Sequence, residues 1–442
     1  MKRPTALPPG AFGTNYRLLK WAVESTPQLF TTFFNTCLSI GHHPRPLRNA
    51  VIAPIPKPRR NDMSHPKNYR PIALLETLSK LLEKIVTRRL IFEAGAHNII
   101  PHSQFGGRDM SSCTDAALCM IHDIRSAWSH NQVASLLTLD VSGYFNNIDH
   151  ARLLYTLERL GYSDNICSWL KSYLSSRTAQ FRIDGNLCPA FELPCVRVPQ
   201  GSPLSPILSS LYSIPLLITA TDHQANHFAY INDFSILAFS NSYNNNVNII
   251  NNIVTNVHYT ATQLGLDFEL PKSDLIHFIR PRSNISYNNP KLTVHLDNTD
   301  VVIEPQSCIR WLGFYLDQKL TFQEHVSNMA TKARATIAGL RLLANIHCGL
   351  SIKHARQLYV ACVIPILTYG APLWFLGRRQ KSLTKSLEGV QNTGLRWMLG
   401  AFKSTPVNDM EHLAATPLSK SRYRNTWNAC QLNSGPSPAC LK

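Results

Sequence analysis

An α+β fold is predicted by the sequence on three observations. The run VASLLTLD (133–140) is a short apolar strand pattern that stops abruptly at an acid. HFAYINDFSILAFS (227–240) sets two apolar arms about a polar turn at Asn232-Asp233, the pattern of a β-hairpin. Several longer stretches space their apolar residues at three and four, as amphipathic helices do. With 442 residues the chain exceeds one ordinary domain, and the length prior allows about three.

The elements follow in order. LLKWAVESTPQLFTTFFNTCLSIG reads as two short helices interrupted at Pro27. In VIAPIPKPRRNDMSHPKNYRPIAL the prolines forbid a regular helix, and Lys57, Arg59, Arg60, Lys67 and Arg70 make an extended basic segment. LSKLLEKIVTRRLIFEA has apolar residues at 78, 81, 82, 85 and 86 and predicts a helix. The strand ending at Asp140 is followed by a helix, HARLLYTLERLGY, and AQFRIDG with FELPCVRV predicts a hairpin. VPQGSPLSPILSSLYSIPLLI is a Gly-Pro loop entering an apolar helix. Residues 241–256 hold eight asparagines in sixteen positions, yet positions 247, 250, 254 and 257 keep helical spacing and predict a weakened helix rather than a linker. CIRWLGFYLDQKLTFQEHV predicts a tight strand pair, residues 323–400 a basic helical region, and the last 25 or so residues an irregular tail.

Composition excludes several classes. Hydrophobic residues at 44% and aromatics at 9%, against 16% charged, rule out disorder as the main state. Lys plus Arg at 44 against Asp plus Glu at 27 gives +17, which argues for a polyanionic partner such as nucleic acid. Eleven scattered cysteines with no CxxC argue against a zinc ribbon, and the odd count fits a reducing compartment. MKRPTALPPGAFG lacks the apolar run of a signal peptide. From Leu358 to Gly377 there is no charged residue over 20 positions, but Pro365, Pro372 and two tyrosines predict a buried helix-turn segment rather than a membrane span. An intracellular protein, nuclear or cytoplasmic, is the expectation.

An acid at a strand end and a second acid, Asp233, in a hairpin turn 93 positions later could together hold divalent metal. Phosphoryl transfer to a nucleotide needs little covalent help from protein but does need carboxylates that place two metal ions about 4 Å apart. Taken alone, an aspartate at a strand end is most often a turn or cap residue.

The set of segments, in order, carries more weight. KNYRPIALL with SKLLEKIVTRRL, SQFGGR (103–108), LTLDVSGYFNNIDHARLL, VPQGSPLSPILSSLY, FAYINDFSILA, LGLDFELPKSDLIHF and RWLGFYLDQKLTFQEHV together resemble the reverse transcriptases of non-LTR (LINE-type) retrotransposons, especially fungal ones. The resemblance covers roughly residues 10 to 415, and VPQGSPLSPILSSLY is its most specific segment. It implies a right-hand polymerase fold with a split βαβ palm. It also implies a division into an N-terminal extension and fingers (1–134), a palm with part of the fingers (135–305), a primer grip and thumb or connection (306–415) and the tail (416–442). The implied activity is RNA-directed DNA synthesis by two-metal nucleotidyl transfer, with Mg²⁺ or Mn²⁺, an RNA template, a DNA primer, deoxynucleoside triphosphates and no membrane.

Carried over residue by residue, the resemblance makes Asp140 and Asp233 metal ligands, with Val141 offering a backbone carbonyl. Phe145 would stand under the sugar, where its ring clashes with a 2′-hydroxyl; this disfavours a ribonucleotide polymerase. Gln200 and Gly201 would lie by the incoming nucleotide and template base, with Tyr230 on the hairpin beside them. Lys57 and Arg70 would contact the triphosphate, and Lys272 would protonate or neutralise leaving pyrophosphate. Lys332, Arg334 and Arg341 would face a primer-template duplex from the thumb.

One departure bears on activity. The family pattern is tyrosine, any residue, aspartate, aspartate; this chain has Tyr230, Ile231, Asn232 and Asp233, so Asn232 stands where the first aspartate ligates metal. Asn146 departs too, and neither an RNase H domain nor an endonuclease is expected to accompany the segments. A partial or degenerate copy is expected, with a catalytically inactive nucleic-acid-binding remnant as the alternative.

Overall fold

The computed structural model describes residues 12–57, 62–108, 110–282, 288–296, 299–343, 349–375 and 381–415. Arg59, Arg60, the N-terminal MKRPTALPPGA and the tail expected over 416–442 lie outside these residues. Helices α1 (Tyr16–Ser25) and α2 (Pro27–Ser39) meet at Pro27, which takes the first helical position, where its missing N–H costs nothing. Strands β1 (Ala50–Pro56) and β2 (Tyr69–Leu75) pair antiparallel, Ala50 opposite Leu75. Helix α3 (Thr77–Ala96) follows, then α4 (Cys113–Ser129), begun by a capping box in which Ser112 and Asp115 satisfy each other's backbone N–H.

Strand β3 (Val133–Asp140) ends where expected. The chain continues through the one-turn α5 (Tyr144–Asn147), α6 (His150–Arg159) and α7 (Asp164–Leu174). It then crosses to the first sheet, where β4 (Thr178–Ile183) runs parallel to β1 and also pairs with the short β5 (Asn186–Leu187) and β6 (Phe191–Glu192). The hairpin expected over 179–198 is thus β4 with two short partners, and VRV is not a strand.

Helices α8 (Ser205–Tyr212) and α9 (Ile214–Thr219) lead to the hairpin β7 (Ala225–Tyr230) and β8 (Asp233–Ser240), then α10 (Tyr243–Gln263) and β9 (Asp274–Phe278). The second sheet has the order β7-β8-β3-β9, with β3 antiparallel to both its neighbours. Strands β8 and β9 are therefore parallel, joined by α10 and separated by β3: a split βαβ unit with the acid-tipped strand in its middle. The sheet is buried on both faces. Leu137, Leu139, Ile236 and Leu275 join one core with Ile250 and Val254 of α10, whereas Leu136, Leu237, Ile276 and Phe278 join a second with α4 and the C-terminal helices. Double burial explains why β3 reads as an unbroken apolar run rather than an alternating one.

The asparagine-rich stretch is a full helix of 21 residues. Asn246, fully buried, donates from Nδ2 to the Val133 carbonyl and to Ser135 Oγ, both at 3.0 Å, so one asparagine pins α10 to the sheet. After β10 (Leu292–Leu296) and β11 (Thr299–Ile303) comes the tight pair β12 (Cys308–Trp311) and β13 (Phe314–Asp317). Helix α11 (Gln323–Arg341) packs on α15 (Lys381–Leu399), with α12 (Ile352–Leu358), a π-turn (359–363), α13 (Ile364–Leu367) and α14 (Ala371–Trp374) between them and α16 (Val407–Leu413) after them. The uncharged stretch is, over 358–375, this broken segment, with Tyr359, Val363, Leu367 and Trp374 buried. Among the described residues no helix is long and apolar enough to cross a membrane. Mixed sheets and helices of this arrangement form the right-hand fold.

Candidate active site

The exposed end of β3 is shaped by backbone bonds. Glu269 N–H donates to the Asp140 carbonyl (2.9 Å) and Ser142 N–H to the Asp267 carbonyl (2.8 Å), flanking an antiparallel bridge between Val141 and Phe268. In such a bridge the flanking residues use their peptide groups, so those of Val141 itself face the other way, toward β8.

Asp233 is the first residue of β8, directly opposite Asp140. The hairpin turn is therefore Ile231-Asn232, one residue earlier than the polar pair Asn232-Asp233 suggested. Asp233 is drawn into the strand by pairing with both Tyr230 and Asp140. Residues directly opposite on antiparallel strands share a face with Cβ atoms about 4.5–5.5 Å apart, so the two carboxylates are neighbours. Burial, and then the negative charge of Asp140, push the Asp233 carboxyl above its ordinary value. Asn232 Nδ2 donates to Asp233 Oδ1 at 3.3 Å.

The turn is held in an unfavourable conformation. Ile231 has φ +60°, a region that a β-branched residue rarely occupies. Gln104, fully buried, accepts from the Ile231 and Gly106 N–H groups, both at 3.3 Å, while Phe105 N–H donates to the Ala229 carbonyl and Ala229 N–H to that of Ser103. A Cβ on Gly106 would sit 2.5 Å from Ile231 N. The SQFGGR segment is thus a clamp on the hairpin that carries Asn232 and Asp233.

Beside this lies a cleft of about 410 Å³, and Lys57, Arg70, Phe145, Gln200 and Gly201 all line it, with Asn146. Lys57 and Arg70 come from the loop end of the β1–β2 hairpin, tied by Lys57 N–H to the Asn68 carbonyl. Phe145 is presented by α5, which starts at Gly143 with φ +54°. The Gln200 loop docks on β2: Ala73 N–H donates to the Gln200 carbonyl at 2.7 Å, and a Cβ on Gly201 (φ +120°) would come within 2.6 Å of the Ala73 carbonyl oxygen.

Of the expected site residues, the strand-end group Asp140, Val141, Asn232 and Asp233 does not line this cleft, and neither do Tyr230 and Lys272. Tyr230 packs toward the second core, where burial and the neighbouring Cys113 thiol push its phenol up. Lys272, more than half exposed, forms an ion pair with Glu269, which also accepts from Ser142 Oγ (3.2 Å) beside Asp140. Sequence reasoning missed Gln104 and the buried carboxylate Glu83. Glu83 accepts from Ser79 and Ser202, both at 2.5 Å, and from Tyr173 at 3.5 Å, anchoring the Gln200-Gly201-Ser202 loop. A Ser–Glu pair four apart on the mostly apolar inner face of α3 was the available signal.

As a metal centre the donor set is incomplete but coherent. Asp140 and Asp233 place two mutually repelling carboxylates at one strand end, to which the Asn232 side-chain oxygen and the Val141 carbonyl could add neutral oxygens, a hard-oxygen set of the kind Mg²⁺ prefers. Among the described residues no group of three or more His, Cys, Asp or Glu side chains could hold a metal.

A family profile described as reverse transcriptase (RNA-dependent DNA polymerase) matches residues 55–316. Over 371 residues the chain is 27% identical to the "Probable RNA-directed DNA polymerase from transposon BS" of Drosophila melanogaster, covering 82% of this chain and 39% of that protein. It is 24% identical over 429 residues to the RNA-directed DNA polymerase from mobile element jockey of the same species, covering 96% and 45%. The chain thus spans about two fifths of the length of the curated relatives it matches. A solved apo telomerase from Candida tropicalis aligns with a TM-score of 0.46 at 11% identity, over 90% of this chain and 68% of that one.

Proposed function

The chain belongs to the reverse transcriptase family, and we propose that it is the RNA-directed DNA polymerase part of a non-LTR retrotransposon, weakened by Asn232. One arrangement supports this most: five residues expected at a nucleotide share a single cleft, and the two expected metal-binding aspartates face each other at an adjoining strand end. Residues 1–134 would serve as extension and fingers, 135–305 as palm and 306–415 as primer grip and thumb.

In this reading Lys57 and Arg70 bind the triphosphate, Gln200 and Gly201 set the nucleotide against the template base, and Phe145 excludes a 2′-hydroxyl. Asp140, Asp233, the Val141 carbonyl and Asn232 would hold the divalent ions. Those ions, when bound, stabilise the attacking and leaving oxygens. Lys272, positioned by Glu269, neutralises or protonates the leaving pyrophosphate. A partly decayed copy, with a fungal element as its source, is the finer form of the same reading.

The second reading, a nucleic-acid-binding remnant without chemistry, is favoured by Asn232 alone, which supplies an oxygen but no charge. Primer extension on a homopolymer RNA template with Mg²⁺ or Mn²⁺ separates the two. The first expects a DNA product that Asp140→Ala removes; the second expects hybrid binding with no product under either ion.

A further inference from the structure

Arg177, just ahead of β4, is 2% exposed, and its Nη1 donates to the Tyr173 carbonyl at 3.0 Å while the guanidinium lies 4.7 Å from the Tyr173 ring. Its Nε and Nη2 are buried with no hydrogen-bond partner, and among the described residues it makes no ion pair. The contrast with Arg48 is instructive. Arg48 is also buried, but all three of its nitrogens reach acceptors on His43, Ser172 and Ser175. Glu83, a buried carboxylate that shares Tyr173 with Arg177, is already held by three hydroxyls.

The side chain lines a cavity of about 60 Å³ under the 193–200 segment, together with Arg197 and His150, and no acidic residue lines it. His150 is committed to the Arg197 carbonyl at 2.8 Å, and Arg197 holds φ +91°, a strained conformation of the kind found at ligand clamps. On a scale of roughly 10–15 Å³ per water, the space is that of about four to six waters, or of one tetrahedral oxyanion. Water alone would satisfy the two N–H groups but would leave a buried guanidinium without a counter-charge, which is the costly arrangement. The cavity shares Pro71, Asn146 and Gln200 with the larger cleft, so it lies just across the Gln200 loop from it.

We propose that this cavity is an anion site in which Arg177 and Arg197 hold one phosphate group. That group is either a backbone phosphodiester of a strand lying over the Gln200 loop or free phosphate. The site does not depend on polymerisation, since the same guanidinium is uncompensated whether or not the chain transfers nucleotides.

The test is thermal unfolding of the full chain in sodium phosphate against sodium chloride at equal ionic strength. Millimolar phosphate should raise the Tm by several degrees over chloride. Arg177→Met should abolish that rise while leaving the Tm in chloride equal or higher, because an unpaired buried charge has been removed. Should Arg177→Met fail to fold, Arg197→Met, at the exposed mouth, should cut the phosphate response at least threefold. Single-stranded RNA carrying one neutral methylphosphonate linkage at successive positions then separates the sources. One position that weakens binding in the unsubstituted protein but not in the Arg177 variant assigns the site to a strand, and the lack of any such position assigns it to free phosphate. A phosphate response equal to that in chloride, or one that survives both substitutions, means that solvent alone fills the cavity and overturns the proposal.

Discussion

In the proposed polymerase, a single atom at Asn232 decides how much charge would face bound metal ions. A unit-charge pair at about 4 Å is worth roughly 4 kcal/mol at an effective dielectric near 20, which corresponds to about a thousandfold in rate. Asn232→Asp should therefore raise nucleotide incorporation by about two to three decades in single-turnover extension with template saturating, while hybrid affinity changes little. Asp140→Ala should remove activity in either background. Asp233 makes a second, independent prediction. Its carboxyl is raised by burial and by Asp140, so the folded state binds its proton more tightly than the unfolded chain does, and stability falls as pH rises from the ordinary carboxylate value through the raised one. Above that window the ionised pair is a net cost that a divalent cation relieves. Asp233→Asn should raise the Tm in chelator at neutral pH and lose most of the stabilisation by Mg²⁺. Equal Mg²⁺ shifts in the two proteins would show that the cation binds elsewhere.

Among the elements, the Gln200 loop is the most exposed to a small change. Gly201→Ala meets the Ala73 carbonyl at 2.6 Å and is strained at φ +120°, so a loss of about 1–3 kcal/mol is expected in denaturant unfolding, with a raised KM for nucleotide. Gly389→Ala in α15, with open space around it, should instead gain a few tenths to 1 kcal/mol. The loop was legible in VPQGSPLSPILSSLY, as were β3 in VASLLTLD and the Pro27 helix break, because each is a local pattern of apolar spacing with Pro or Gly punctuation. The turn was misplaced by one residue for a physical reason. Asn232-Asp233 is the better turn pair by local preference, and only cross-strand pairing with Asp140 and the Gln104 clamp force Ile231 to φ +60° instead. The asparagine-rich helix was legible from its spacing, but not the bond from Asn246 to Val133, which joins residues 113 positions apart. Glu83 escaped for the same reason: its partners Ser202 and Tyr173 lie 119 and 90 positions away.

The whole molecule carries +17, and its basic residues include Lys57 and Arg70 at the cleft. Binding to an RNA–DNA hybrid should weaken steeply between low and moderate salt, as release of condensed counterions requires. This holds for an active enzyme and a remnant alike, so it identifies the partner class without identifying chemistry. Chemistry is tested by joining the two carboxylates to the cleft in one experiment: extension of a DNA primer on a homopolymer RNA template, comparing the unsubstituted protein with its Asn232→Asp and Asp140→Ala variants at saturating hybrid. The polymerase account predicts template-matched product from Asn232→Asp at least a hundredfold above the unsubstituted protein, and none from Asp140→Ala. A folded, hybrid-bound Asn232→Asp protein that makes no more product than Asp140→Ala would contradict it.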